Sequence, residues 1–344
     1  MTATLKVIQP GLHTTVQDLG RTGGQRFGIP VSGAADTVAL RVANIVAGNP
    51  PATAGLEIAL MGPVLEVQAE SVRVAAAGGA VQIEITSLDG ETRRIPALQS
   101  VRLVRGERLR IGAFAGSAVA YLAVAGGFDL APFQGSLSTY VRGAFGGFEG
   151  RALREGDALP LAQPEAGERP ELRLPGLDLV PPSRVRVVLG PQDDCFTPEA
   201  IATFLSAAYT VSREADRMGI RLDGPVLVHA KGFNIVSDGI APGAIQVPGN
   251  GLPIILLADR QSTGGYPKIA TVASVELPAL GRASPGLQMT FDAITVEAAQ
   301  QLRRAQGRWL NALAGQLEPV PAAGLDLARL LSENLVSGVV DAGG

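Results

Sequence analysis

Glycine and proline cut this chain into pieces too short for long helices. The 43 glycines and 24 prolines separate runs such as LKVIQP, VLEVQA, SVRVAAAG, VQIEITS, SVRLVRG and RLRIGAF. Each run alternates or stays apolar over the length of a strand and ends on turn residues, the pattern of an all-β sandwich or barrel. The expected fold is therefore mainly β with a few helices. Residues 111–128, IGAFAGSAVAYLAVAGGF, carry no charge and have nearly the length needed to cross a bilayer. Gly112, Gly116, Gly126 and Gly127 divide the segment, so AVAYLAVAG is expected to be a strand buried on both faces.

Helices are expected at three places. In SGAADTVALRVANIVAGNP, Val38, Val42, Ile45 and Val46 share one face, Asp36 stands at the N-terminus and Gly48 at the end. In TPEAIATFLSAAY, Thr197 caps the helix, Pro198 fits its first turn, and Ile201, Phe204, Leu205 and Ala208 form the buried stripe. After Thr295, residues Ala298, Leu302, Ala305 and Trp309 recur at coiled-coil-like spacing. A last short helix is expected over residues 325–335, LDLARLLSENL.

A length of 344 residues predicts two domains. A faint repeat agrees: GPVL begins at Gly62 and again at Gly224, each time after a helix and a strand, and each is expected to open a second strand. The proline- and charge-rich stretch from Pro160 to Pro182 is the expected boundary. The division is residues 1–165, residues 183–298 and a helical C-terminal tail over 299–344.

A net charge of −3 supplies no field that would gather nucleic acid. Cys195 is the only cysteine, and His13 and His229 the only histidines, so neither a disulfide nor a metal site is expected. The N-terminus has no signal-peptide pattern, and the expected compartment is the cytoplasm. Phosphate-loop, dinucleotide-turn and nucleophile-elbow motifs are missing from the sequence, as is a Met-Lys-Met segment for biotin attachment.

Three polar clusters stand out. DRQSTGGYPKIATV, residues 259–272, gathers Arg260, Gln261, Thr263, Tyr266 and Lys268 around Gly264 and Gly265, the composition of an anion or amide pocket. The bland alternative pairs Asp259 with Arg260, packs Tyr266 and leaves Lys268 in water. Residues 12–36 hold His13, Gln17, Asp18, Arg21, Arg26, Ser32 and Asp36 among glycines, either as a binding loop or as a structural loop with an Asp18–Arg21 pair. Residues 134–153, QGSLSTYVRGAFGGFEGRAL, suit an anion site or a flexible flap equally.

The ordered motifs TVQDLGR, GIPVSGAAD, LRVANIVAGNP, LEIALMGPVL, YLAVAGGFD, GSLST, GPQDD, DRMGIRL, GAIQVPGNGLPI and DRQSTGGYPKIATV resemble the biotin-dependent carboxyltransferase subunit family over residues 5–298. That family includes the C subunits of 5-oxoprolinase, KipA and allophanate hydrolase subunit 2 proteins, and the carboxyltransferase subdomains of urea carboxylase. Ala35, where methionine is expected, and Ser262, where threonine is usual, depart from its pattern. The resemblance implies two cyclophilin-like β-barrel subdomains and a companion KipI-like chain, the B subunit of 5-oxoprolinase. It also implies the A subunit as a partner, a lactam or amide substrate, and ATP used through the assembled complex. Arg260 and Lys268 would then be the cations, Gly264 and Gly265 the backbone donors, and Asp238 and Tyr266 the groups handling the lactam N–H, as a catalytic set. Gln246, Gln261, Thr263, His13, Gln17, Arg21 and Ser32 would bind substrate. Two alternatives remain open: carboxyl transfer from biotin carried by another protein to urea or a related amide, and a KipA-type regulator that binds its KipI-like partner.

Overall fold

The computed structural model describes residues 3–181 and 183–321. The first eleven strands are β1 (Thr4–Gln9), β2 (His13–Gln17), β3 (Gly55–Ala59), β4 (Val64–Val67), β5 (Ser71–Ala77), β6 (Gln82–Thr86), β7 (Thr92–Pro96), β8 (Ser100–Val104), β9 (Arg108–Ile111), β10 (Val119–Val124) and β11 (Ala158–Pro160). They form a six-stranded sheet, β11-β1-β4-β9-β6-β7, and a five-stranded sheet, β2-β3-β10-β5-β8. One core fills the space between them, built from Leu5, Leu56, Leu65, Ile83, Leu109 and Leu122 among others.

The outer face of the five-stranded sheet is covered by α1 (Thr37–Ala47). The Asp36 carboxylate accepts from the Val38 and Ala39 N–H groups at 2.9 Å each and starts the helix; Gly48, at φ 88°, ends it. The sequence marks one apolar stripe, but α1 is enclosed more completely. Leu310 and Leu313 pack on the helix cluster as well, and Ala39, Ala43 and Ala47 are buried with the larger residues. Being covered by the core on one face and α1 on the other explains why β5 and β10 are buried at every position. AVAYLAVAG is thus a central strand, and no helix among the described residues is long and apolar enough to cross a membrane.

The remaining strands are β12 (Leu172–Arg173), β13 (Arg184–Leu189), β14 (Tyr209–Val211), β15 (Gly219–Asp223), β16 (Asp238–Gly239), β17 (Ala244–Gln246), β18 (Ile254–Leu256), β19 (Thr263–Gly264), β20 (Lys268–Val272), β21 (Gln288–Ala293) and β22 (Glu318–Pro319). Seven of these close a barrel in the order β13-β20-β17-β18-β15-β14-β21, with β13 and β21 parallel. α2 (Pro198–Ser206), capped by the Thr197 hydroxyl, packs on the barrel core. There Phe204 stacks on Phe291 at 4.5 Å between ring centroids. Ile201 and Leu205 join it, but Ala208 lies beyond the helix and is exposed. α3 (Leu277–Gly281) follows β20, and α4 (Val296–Ala312) leaves the barrel after β21, capped by the Thr295 hydroxyl. On α4 Ala305 is exposed; Leu310 is buried, and Leu302 and Trp309 are half-buried.

The GPVL repeat holds only in part. Gly62 and Pro63 join β3 to β4, whereas Val226, Leu227 and Val228 form no strand: Val226 and Val228 are exposed and Leu227 is buried. Both edges of β15 are already taken, by β14 and β18, so the chain that follows has no ladder to join. The stretch from Pro160 to Pro181 is pinned rather than loose. Arg73 bonds Glu171 and the carbonyls of Gly167 and Arg169, and β12 pairs with β22. The expected helix over 325–335 lies outside the described residues.

Candidate functional site

Lys268 opens β20 with 2% of its surface exposed, and its Nζ donates to Asp238 Oδ2 at 3.0 Å. Asp238 is carried over Lys268 by a small ribbon in which β16 pairs with β19, Asp238 opposite Gly264. Glycine is needed there: a Cβ on Gly264 would stand 2.6 Å from Gln246 Nε2 and 2.7 Å from Ile240 Cδ1. Gln192 ties the group together. Its Oε1 accepts from the Lys268 N–H at 3.1 Å and its Nε2 donates to Asp238 Oδ2 at 3.2 Å. Gln246, paired with Lys268 across a bulge between β17 and β20, is buried and donates to the Tyr266 carbonyl at 3.5 Å.

Charge is unevenly hydrated in this arrangement. Lys268 is inside, but the side chain of Asp238 is 52% exposed. The hydrogen bond from Lys268 is the main force holding the Asp238 carboxyl below the usual aspartate range, helped by the Gly239 N–H. Lys268 is thus a buried ammonium whose one carboxylate partner among the described residues faces solvent. Beside it, Gln246, Gln261 and Tyr266 line a cavity of about 450 Å³, with Arg142 and Arg221 contributing cations and Glu214 and Asp216 acids.

The structure divides the residues singled out in the sequence. Lys268, Asp238, Tyr266, Gln246, Gln261, Thr263, Gly264 and Gly265 stand together on β16, β17, β19, β20 and their connections. Arg260 does not join them: it donates to the carbonyls of Ile240 and Leu257, at 3.1 and 3.3 Å, and shares a separate cavity with Ser32. Burial lowers its pKa. His13 faces a third cavity with Glu57, Arg217 and Asp259. Gln17 is spent inside the first half, on Thr15 Oγ1 and the Thr139 carbonyl. Arg21 is buried there too, bonded to the Ser138 carbonyl and set near the rings of Phe133 and Phe145 at 5.6 and 5.2 Å.

The bland pairings fail in an informative way. Asp18 takes no bond from Arg21 but accepts from Ser136 Oγ, Ser138 Oγ and the Leu137 N–H, so two polar clusters of the sequence are one structural unit and 136–138 is not a loose flap. Asp259 pairs with Arg217, not Arg260, at 2.8 and 3.2 Å. Arg217 also reaches Glu57 and the Gly33 carbonyl in the first half. Glu57 Oε2 accepts from Tyr121 OH at 2.5 Å and from the Ala35 N–H at 2.8 Å, and Asp36 pairs with Arg282. Burial works against the Arg217 charge, but Glu57 and Asp259 outweigh it and raise its pKa. Gln192 and Arg217 escaped the sequence reading as site and junction residues. GPQDD and DRMGIRL were visible as motifs, but nothing in their composition tells which strand they approach.

Comparison with known proteins decides the family. Residues 27–293 match the model for the carboxyltransferase domain, subdomain A and B. The chain belongs to that family. It is 34% identical to the C subunit of 5-oxoprolinase from Escherichia coli over 315 residues, covering 91% of this chain and 98% of that protein. It is also 33% identical to urea amidolyase of Saccharomyces cerevisiae, but spans only 18% of that longer chain. The solved structure of Kluyveromyces lactis urea carboxylase superposes with a TM-score of 0.83 at 30% identity, over 93% of this chain and 30% of that one. Among the described residues no cluster of three or more His, Cys, Asp or Glu side chains could hold a metal ion.

Proposed function

We propose that this chain is the C subunit of an ATP-dependent 5-oxoprolinase, acting in the cytoplasm with the A and B subunits to open 5-oxoproline to glutamate. The observation that carries this reading is Lys268, a buried ammonium with a displaceable carboxylate partner, beside the carboxamides of Gln192 and Gln246. 5-Oxoproline offers matching groups: a carboxylate for Lys268, a lactam carbonyl for amide donors and a lactam N–H for Asp238. Tyr266 stands at the rim to orient the ring, and Gly264 and Gly265 let the backbone approach it. Likeness to the E. coli protein over nearly its whole length supports the same assignment.

ATP supplies the activation of the lactam carbonyl within the assembled complex; this chain's residues hold the acid and meet the developing negative charge. The segment leading to Asp238 exposes Val226, Val228, Phe233 and Val236, the last at 92%. An apolar surface of this kind fits an interface with another chain, and we assign it to the KipI-like B subunit. The test is ATP-dependent loss of 5-oxoproline by the chain mixed with the A and B subunits. Lys268→Met is expected to lower turnover about 100-fold or more while the complex still assembles on size-exclusion chromatography. Unchanged turnover in that variant would place the site elsewhere.

The likeness to urea carboxylase favours a second reading, transfer of a carboxyl group from biotin carried by another protein to urea or a related amide. In it Lys268 receives the migrating carboxylate and Gln246 the amide. Labelled carboxyl appearing on urea, with no loss of 5-oxoproline, would select this reading; tight partner binding with neither reaction would select a KipA-type regulator.

A further inference from the structure

Arg260 and Ser32 lie in a cavity of about 220 Å³ where the barrel, the loop before α1, α3 and α4 meet, apart from the Lys268 cluster. Val31, Leu257, Leu277 and Pro278 give it apolar walls. Its polar lining is of one kind: the guanidinium groups of Arg260 and Arg303 and the hydroxyl-bearing Ser32, Thr37 and Ser274. Among the described residues no carboxylate lines it. The acids next to it in sequence are engaged elsewhere, Asp36 by Arg282 and Asp259 by Arg217.

Arg260, 3% exposed, has among the described residues only the Ile240 and Leu257 carbonyls for its five donors. Ser32, 5% exposed, has no partner for its Oγ among the described residues. Its backbone is held at φ 54°, with the N–H bonded to the Ala258 carbonyl. Among the described residues Arg303 bonds only the neutral Gln306 Oε1, at 2.7 Å. Behind it Arg41 on α1 keeps a buried Nε without a partner, and after burial itself the nearness of Arg303 is what lowers the Arg41 pKa. Arg260 is thus a desolvated guanidinium with Arg303 at the exposed edge of the same cavity, an arrangement that suits an anion.

We propose that this cavity is a second ligand site, for a small monocarboxylate with a compact apolar body. Arg260 and Arg303 hold the carboxylate, the Ser32 hydroxyl donates to it, and the aliphatic walls take the body. The volume corresponds to about seven water molecules, room for a branched acid of about five carbons. A dianion such as phosphate suits the two guanidinium groups but forfeits the apolar wall, and a neutral amide forfeits the charge.

The test is calorimetric titration of the full chain with isovalerate, isovaleramide and inorganic phosphate. Isovalerate is expected to bind at least about tenfold more tightly than either comparator. Arg303→Gln, an exposed position on α4, is expected to weaken isovalerate about tenfold with thermal unfolding unchanged, as is Ser32→Ala to a smaller extent. Lys268→Met and Arg304→Gln are expected to leave it unaltered, which separates this site from the proposed 5-oxoproline site. Equal affinity for acid and amide, tighter phosphate, no binding, or loss in Lys268→Met with retention in Arg303→Gln would each overturn the proposal.

Discussion

Two cations organise this molecule, and they are treated in opposite ways. Arg217 is enclosed by Glu57, Asp259 and the Gly33 carbonyl, and Glu57 is itself bonded to Tyr121 and the Ala35 N–H. Lys268 has one carboxylate, and that carboxylate faces water. A network whose charges are paired with one another serves to fix one half of the chain against the other. A one-sided pair fixes little and leaves the cation able to change partners, so the two regions should respond differently to substitution.

The largest effect is expected at the junction. Arg217→Met leaves Glu57 and Asp259 buried without their cation, and denaturant unfolding should show a loss of about 3–5 kcal/mol. At the site the order reverses. Lys268→Met keeps the aliphatic stem and leaves Asp238 to solvent, so stability should stay within about 1 kcal/mol of the parent while turnover of the assembled complex collapses. If Arg217→Met unfolded like the parent, or Lys268→Met lost as much stability as Arg217→Met, the distinction between fastener and site would be lost.

The same contrast marks what was legible in the sequence. Alternation and turn residues announced β1, β4, β5, β6, β8, β9 and the buried β10, because those strands answer to local hydrophobic period. The polar glycine segment at 259–272 singles out Lys268, Tyr266 and Gly264 as candidates, and the structure brings them together on β19, β20 and the connection between them. Pairing across sequence distance was not legible. Asp259 and Arg260 are adjacent, yet one turns to Arg217 and the other to a different cavity, because both sit in the turn that follows β18, where the Arg260 N–H bonds back to the Leu257 carbonyl. Gln192 reaches Lys268 from 76 residues away, a contact that only barrel closure creates. The failed strand after Gly224 has the same origin, because whether a ladder edge is free depends on strands that arrive later.

A smaller effect is expected from Gly264→Ala. The added methyl meets Gln246 Nε2 and Ile240 Cδ1, so the β16–β19 ribbon must lift and draw Asp238 from Lys268. Stability should fall by about 1–3 kcal/mol. The substrate KM should rise more than in Gly265→Ala, where the nearest atom to the new methyl is 3.5 Å away. Equal behaviour of the two variants would mean that the ribbon does not position Asp238.

The gentlest probe is pH, and it acts on the two regions from opposite ends. Burial first, then Glu57 and Asp36, raise the Tyr121 pKa well above its ordinary value of 10.0, whereas burial takes Tyr209 to about 12. A raised folded pKa gives stability that is complete below about pH 10 and lost as pH climbs through the folded value, so the junction weakens on the alkaline side. Asp238 is depressed instead, chiefly by Lys268. Its contribution is present above about pH 4 and disappears as pH falls through the lower folded value. Tyrosine absorbance titrated upward should therefore show Tyr121 ionising only with unfolding. Protection of the Gly239 amide, which donates to Asp238, measured against its intrinsic exchange rate at each pH, should fall only below the ordinary aspartate range. An amide that opened near neutral pH would show that Lys268 does not govern Asp238, and the contrast between the closed junction and the open site would fail at its weaker end.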